Sequence, residues 1–204
     1  MKKYFAALSA TALISLAPYA LATDTLTVKG TITPAACLPS LSGGGMVDNG
    51  KIRAKDLNQT SNTQVGTHRL QITVACDAPN LFALNPVDNQ PNTASNSTYF
   101  GLGLTDADEK IGFVYLDASN AVADGQSVRV IVSDDAGASW DPRNPIQPGS
   151  WTSVADAAGP IAPIYIQDLA MDVRISTFIA RADSLTLTDD VTLEGSVTIG
   201  IEYL

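Results

Sequence analysis

The sequence has few of the side chains that commonly serve in acid–base or metal chemistry. Its 204 residues include one histidine, His68, and two cysteines, Cys37 and Cys76. Nucleophilic catalysis of the Ser-His-Asp or Cys-His type would have to use His68, which no recognisable motif surrounds. A metal site would need more ligands near the cysteines than this chain offers. We therefore expect no enzyme activity and no cofactor. For the alternative of a small hydrolase, the sequence offers no recognisable set of catalytic residues.

Basic residues and long apolar runs are also scarce. The chain has 12 lysines and arginines against 21 aspartates and glutamates, a formal net charge of −9. This charge would repel nucleic acid and anionic membrane surfaces. After residue 22 no uninterrupted apolar run approaches the roughly 20 residues that a transmembrane helix needs. We expect neither a nucleic-acid partner nor a membrane span.

The N-terminus has the organisation of a secretory signal peptide. Lys2 and Lys3 form a positive region, residues 5–17 are apolar and uncharged, and Ala20-Leu21-Ala22 fits an A-x-A cleavage site. A retained N-terminal helix is the alternative. Loss of residues 1–22 would remove two lysines and lower the net charge from −9 to −11. In an oxidising compartment the two cysteines most simply form one disulfide.

Helical periodicity is missing, and alternation of apolar and polar residues replaces it. Short alternating runs are separated by clusters of Gly, Asn, Asp and Pro, which predicts one all-β sandwich domain over residues 34–204. A long surface loop is expected over residues 85–97. The clearest predicted strands are Leu70–Cys76, Val128–Val132, Tyr165–Ile179 with a break near Asp168, and Val191–Tyr203; shorter candidates are Lys51–Leu57, Leu81–Leu84, Tyr99–Leu104 and Ile111–Leu116.

Two local motifs have mainly structural interpretations. Residues 133–140 fit the S-x-D-x-G-x-[ST]-W pattern of the sialidase Asp-box, a hairpin motif that is not itself catalytic. A single copy in so short a chain favours a hairpin over kinship with sialidases. The acidic run Asp106-Ala107-Asp108-Glu109 could offer oxygen ligands to calcium, but it lacks the glycine and the distant glutamate of an EF-hand. A solvated acidic loop is the simpler interpretation.

The segment between the predicted signal and the first cysteine, residues 23–33, is itself strand-like. Four residues share one of its faces: Leu26, Val28, Gly30 and Ile32. Pro34 follows and cannot donate a hydrogen bond to a sheet. A strand of this kind either closes its own sheet as an ordinary edge strand or pairs with the open edge of another molecule.

Three features link the ends of the chain to its cysteines. Gly30 lies seven residues before Cys37, Cys76 ends an alternating strand about 40 residues later, and Tyr203 is next to last in an alternating C-terminal strand. In these features the chain resembles chaperone–usher pilus subunits, most closely the β-fimbria-like major subunits. One departure is Val191, at a position where such subunits usually have glycine.

The resemblance implies a fold and a mode of assembly. Such subunits are immunoglobulin-like sandwiches that lack their final strand, so a hydrophobic groove remains open. In such subunits a periplasmic chaperone first fills the groove. The N-terminal extension of the next subunit, here residues 23–33, then takes the place of the chaperone. An outer-membrane usher assembles the subunits into a surface fimbrium that is used for adhesion. The C-terminal residues expected to pair with chaperone or neighbour are Val197, Ile199, Ile201 and Tyr203. The alternative is a closed, secreted monomeric sandwich that binds carbohydrate or a host ligand.

Overall fold

A computed structural model of the protein describes residues 36–204. This part of the chain is all-β, with ten strands and three one-turn 3₁₀ helices. The helices are Ser42–Gly45, Ala54–Asp56 and Ala182–Ser184. The strands are β1 Cys37–Leu41, β2 Thr63–Asn80, β3 Phe82–Asp88, β4 Phe100–Gly101, β5 Gly112–Ala123, β6 Gln126–Ser133, β7 Pro145–Ile146, β8 Trp151–Asp156, β9 Ile166–Ile179 and β10 Val197–Tyr203.

All ten strands belong to one antiparallel sheet. Its order is β1-β2-β9-β5-β6-β8-β3-β10, and the short β4 and β7 both pair with β5. The first and last strands of the described chain are therefore the two ends of the sheet. The sheet curves so strongly that these two strands come into contact at one end. There the Cys37 amide of β1 donates a hydrogen bond to the Tyr203 hydroxyl of β10 at 2.9 Å. The result is close to a barrel.

One large apolar core fills the inside of the curved sheet. Alternate residues of the long strands point inward, so Ile72 and Val74 of β2 meet Met171 and Val173 of β9, all at most 3% exposed. A smaller cluster forms around Leu57, Leu102, Ile111 and Ile179. The loops before β2 and before β10 cover this second cluster.

The predicted all-β class and most of the clearest predicted strands are confirmed. The structure is all-β, Cys37 and Cys76 are bonded, and the predicted alternating runs near residues 70–76 and 128–132 lie in β2 and β6. No helix within residues 36–204 is both long and apolar enough to cross a bilayer.

Several predicted boundaries were wrong; of the candidate strand Tyr99–Leu104, only Phe100–Gly101 is strand. Residues 51–57 form no strand but a bend with one 3₁₀ turn, Ala54–Asp56. The loop expected over residues 85–97 begins later, because β3 continues to Asp88. The break expected near Asp168 does not occur in β9 itself, which is continuous from Ile166 to Ile179. The irregularity lies in its pairing with β2, whose register shifts between Ala75 and Asn80, opposite Asp168 and Ile166.

The predicted signal peptide, residues 1–22, and the donor-strand residues Leu26, Val28, Gly30 and Ile32 lie outside the described residues.

Candidate strand-binding groove

The two ends of the sheet, β1 and β10, face each other across a space that we call the seam. β1 pairs with β2 from Cys37↔Cys76 to Leu41↔Ile72, and β10 pairs with β3 from Val197↔Asp88 to Tyr203↔Phe82. Within residues 36–204 no strand pairs with the other edge of either strand. An unpaired strand edge presents a row of backbone donors and acceptors to an added strand.

An apolar groove opens along the seam and has a volume of about 200 Å³. The chain following β1 and the chain leading into β10 form its two sides, and the inner faces of β2, β9 and β5 form its base. The residues on the β1 side are Leu41, Gly45 and Val47; those on the β10 side are Leu193, Gly195, Val197 and Ile199; those at the base include Leu70, Ile72, Leu116, Val173 and Ile175.

The groove continues past the beginning of β10 into a wider cavity. This cavity has a volume of about 1040 Å³ and lies between residues 47–57 and residues 185–193. The two spaces share Val47, Asn49 and Leu193. An apolar chain could therefore extend beyond the seven residues of β10 and still meet protein on both sides.

The aliphatic side chains of β10 are buried less completely than those of the other core strands. Val197, Ile199 and Ile201 pack against the main core but remain partly exposed. Ile131 of β6 and Val154 of β8 are fully buried, at 0% exposure. The side of the core next to the seam is thus the side that lacks a covering layer.

Tyr203 closes one end of the seam. Its hydroxyl accepts the Cys37 amide hydrogen bond while the residue as a whole stays 43% exposed. Sequence reasoning placed Tyr203 on the last strand but could not find this partner, because the two residues are 166 positions apart. The groove therefore opens toward Val197 and Leu41 and narrows toward Tyr203.

The disulfide fixes β1 at that same end. Cys37 and Cys76 lie directly opposite in the register of β1 and β2, with Cα atoms 4.0 Å apart, and each is 6% exposed. Because β1 has a single neighbouring strand among the described residues, this covalent bond anchors one side of the seam. The predicted pairing of these cysteines is confirmed.

The last strand is shorter than its sequence pattern predicts. The four C-terminal residues expected to share a face do lie in β10, but the alternation from Val191 to Ser196 is not strand. The Glu194 amide instead donates to the Leu102 carbonyl. A Cβ added at Gly195 would lie 2.9 Å from the Leu102 side chain, so this glycine permits a close approach. Val191 packs in the second cluster.

The Asp-box segment is a tight connection, as its pattern predicts. The Asp135 carboxylate accepts hydrogen bonds from the Ser133 hydroxyl and from the amide and hydroxyl of Ser139. These bonds, led by that of the Ser139 side chain, lower the pKa of Asp135 to about 2. Val132 and Asp141 close the segment with two backbone hydrogen bonds. The carboxylate is used in shaping a turn.

Glu109 of the acidic run and His68 also lie close to polar partners. The Glu109 carboxylate accepts hydrogen bonds from the Thr186 amide and hydroxyl and from Thr105, and the Thr186 amide is the main cause of its lowered pKa. His68 Nε2 lies 3.1 Å from the Asn49 side-chain oxygen. Across residues 36–204 no group of three His, Cys, Asp or Glu side chains is placed to hold a metal ion.

This chain is similar to one protein family and to two Escherichia coli proteins whose descriptions state no function. Residues 26–99 match the family described as "Protein of unknown function (DUF1120)". "Protein GltF" of Escherichia coli (strain K12) is 28% identical, with 100% of this chain and 99% of GltF covered. "Uncharacterized protein YhcF" of the same strain is 26% identical over 87% of this chain and 89% of YhcF. The matched family region begins at Leu26, in the segment of predicted donor residues, and runs through β1, β2 and β3.

Proposed function

We propose that this protein is a structural fimbrial subunit that polymerises non-covalently by donor-strand exchange. In this proposal the body is an incomplete immunoglobulin-like sandwich. Residues 23–33 of one copy enter the seam of the next copy and lie between its β1 and β10. The product is a surface fibre that serves adhesion, and the subunit has no catalytic role.

The open seam is the observation that carries this proposal. An exposed strand edge beside an apolar groove is costly for an isolated protein, since it invites uncontrolled pairing and leaves the core incompletely covered. An added strand would remove both the unpaired edge and the exposed apolar surface. Its backbone would pair with the β10 edge, and its alternate side chains would enter the groove. The partly exposed aliphatic side chains of Val197, Ile199 and Ile201 are the surface that such a strand would cover.

The N-terminal segment has the length and pattern that the groove requires. The eleven residues from 23 to 33 would span roughly 36 Å in extended conformation, whereas the seven residues of β10 span roughly 23 Å. The segment is therefore longer than β10, and its additional residues could extend into the wider cavity beyond Val197. Its aliphatic residues alternate, so Leu26, Val28 and Ile32 would point to one side, and Gly30 would occupy a shallow point between them.

Export and assembly partners follow from the same proposal. A chain with an open apolar groove needs protection before it polymerises, which is the task of a periplasmic pilus chaperone. An outer-membrane usher would then exchange the chaperone for the next subunit. The disulfide suits an oxidising compartment, and the signal-like first 22 residues supply a route to it.

Two leucine substitutions at neighbouring positions test donor-strand exchange. In Gly30→Leu the new side chain points into the groove at its shallow point, so fibres should fail to form. In Lys29→Leu the same side chain points away from the groove, so assembly should continue. The readout is the amount of polymer, measured by electron microscopy and by resistance to dissociation in gels, with chaperone and usher co-expressed.

Equal assembly of the two variants would contradict the proposal. A closed monomeric module, the alternative considered from the sequence, makes a different prediction. It would fold and remain monomeric without a chaperone, and neither substitution would alter its thermal unfolding by more than a surface change does.

A further inference from the structure

The outer face of β2, β9 and β5 carries two adjoining sets of side chains that the groove does not use. On these strands the residues between the inward-pointing core positions face away from the core. The register aligns them in cross-strand rows. Phe113 of β5 lies opposite Phe178 of β9, and four residues further along β5 Asp117 lies opposite Arg174, which in turn lies opposite Arg69 of β2.

The first set is aromatic. The ring of Tyr99 stacks on that of Phe113 with centroids 5.1 Å apart, and Phe113 stacks on Phe178 at 4.9 Å. Tyr115 meets Tyr99 edge to face at 5.2 Å. Phe113 is buried beneath this group, whereas the two tyrosines are partly exposed. Tyrosines so placed combine an apolar ring surface with a polar hydroxyl.

The second set is a polar cleft of about 200 Å³ next to the tyrosines. Its lining consists of Arg69, Asp117, Ser119, Asp172 and Arg174. The Asp117 carboxylate accepts hydrogen bonds from the Tyr115 hydroxyl at 3.2 Å and from the Arg174 guanidinium at 2.8 Å. This link makes the aromatic set and the cleft one continuous surface.

Arg69 is the cation of the cleft that has no counter-ion. Arg174 is paired with Asp117, but Arg69 makes no ion pair with any residue from 36 to 204. It lies directly opposite Arg174 in the sheet, and like charges in opposed positions are unfavourable. Asp172 also lines the cleft and accepts a hydrogen bond from the Asn120 amide at 2.8 Å, but it forms no ion pair with Arg69. Arg69 is exposed, so an anionic group bound between the two guanidinium groups would give it a charged partner in place of water.

We propose that this face binds an acidic saccharide, a chain containing uronic-acid units. The carboxylate of a sugar would pair with Arg69, its hydroxyls would bond Asp117 and Ser119, and the apolar face of a neighbouring sugar ring would pack against Tyr115 and Tyr99. Two residues along a strand separate the rows of Tyr115 and Asp117, roughly 6.6 Å, a spacing on the scale of one sugar unit. Arginine suits this role because its planar group binds carboxylates with two parallel hydrogen bonds.

This inference does not depend on donor-strand exchange. The groove is lined by the inner faces of the same strands, so a strand bound in the seam would leave the outer face free. A shaft subunit or a monomer would present the surface equally well.

Native affinity electrophoresis of the full chain in gels containing alginate, a polymer of uronic acids, tests the inference. Alginate should retard the wild-type protein, and neutral dextran at the same concentration should not. The chain's net charge of −9 works against non-specific retention by a polyanion. The dissociation constant is then measured by titration with alginate oligosaccharides.

Two matched arginine variants identify the site. Arg69→Gln should weaken alginate binding by at least about tenfold, the factor expected for loss of one charged hydrogen bond, and should leave thermal unfolding unchanged. Arg181→Gln, which removes an exposed arginine paired only with Asp183, should bind within about twofold of wild type. The inference is overturned if wild type ignores alginate, if dextran retards it equally, or if the two variants lose affinity to the same extent.

Discussion

Removal of the disulfide should lower the stability of the protein and make β1 the first strand to open. Replacing Cys37 and Cys76 together by alanine releases a loop that the bond closes over 39 positions of sequence. The chain-entropy relation gives a loss of about 4 kcal/mol for a loop of this length. Domains are typically stable by about 5–15 kcal/mol, so the disulfide should account for a large part of the free energy of unfolding.

The midpoint of thermal unfolding should fall by about 8–16 °C, taking about 2–4 °C per kcal/mol for a chain of this size. The assay is circular dichroism during heating and urea unfolding of the full chain. Wild type treated with a thiol reductant is the control and should match the alanine variant. Hydrogen exchange should locate the earliest opening in β1, which pairs only with β2 among the described residues.

A loss below about 1 kcal/mol would refute this reasoning about the disulfide, as would unchanged exchange protection in β1. Either result would mean that contacts across the seam hold β1 in place without the covalent bond. The seam would then be closed more firmly than the single hydrogen bond between Cys37 and Tyr203 indicates.

Two further predictions concern hydrogen bonds at named side chains. Tyr203→Phe removes the acceptor of the Cys37 amide and should lower the urea-derived free energy of unfolding by about 0.5–1.5 kcal/mol, with Tyr165→Phe, at an exposed tyrosine, as the neutral control. Because the pKa of Asp135 is lowered from 3.8 to about 2, its carboxylate stabilises the fold above pH 4 and this contribution disappears as the pH falls toward 2. Wild type should therefore be more stable than Asp135→Asn at pH 6 but not at pH 2; a difference that persists unchanged at pH 2 would contradict the assignment.

Alternation carried most of the fold prediction because side-chain direction in a strand has a strict period of two. It found β2, β6, β9 and β10. The disulfide between Cys37 and Cys76, predicted from the cysteine count, is also confirmed. The prediction failed where residues that locally favour turns are held in a strand by pairing with a distant strand. Asn85 and Pro86 read as loop residues, yet they lie in β3 opposite Gly200 and Ile199 of β10. Tertiary pairing of β3 with β10 outweighed their local preference for turns.

The groove was predictable only in part. The alternating C-terminal strand identified the aliphatic residues on one side of the seam. The opposite side, from Leu41 to Val47, could not be deduced, because nothing local indicates that residues about 150 positions apart in sequence meet across the seam. The wrong extension of the last strand to Val191 has the same origin, since Glu194 bonds to Leu102 rather than to a neighbouring strand.

The outer-face cleft was missed entirely from the sequence. Its arginines and aspartates occupy the polar positions of alternating strands, which read as an ordinary solvated face. Only the register of three strands brings Arg69, Arg174 and Asp117 into one row. A sequence pattern reports the period of one strand but not the pairing between strands.

Hydrogen exchange at β10 tests strand addition at the seam most directly. The Gly30→Leu chain is used, because its own extension should not compete, and a synthetic peptide of residues 24–33 with the wild-type sequence is added. The account predicts slower amide exchange in residues 197–203 with this peptide, and no change with a peptide of the same composition whose aliphatic residues are contiguous. Unchanged exchange in β10 at saturating peptide, or equal protection by the two peptides, would contradict it.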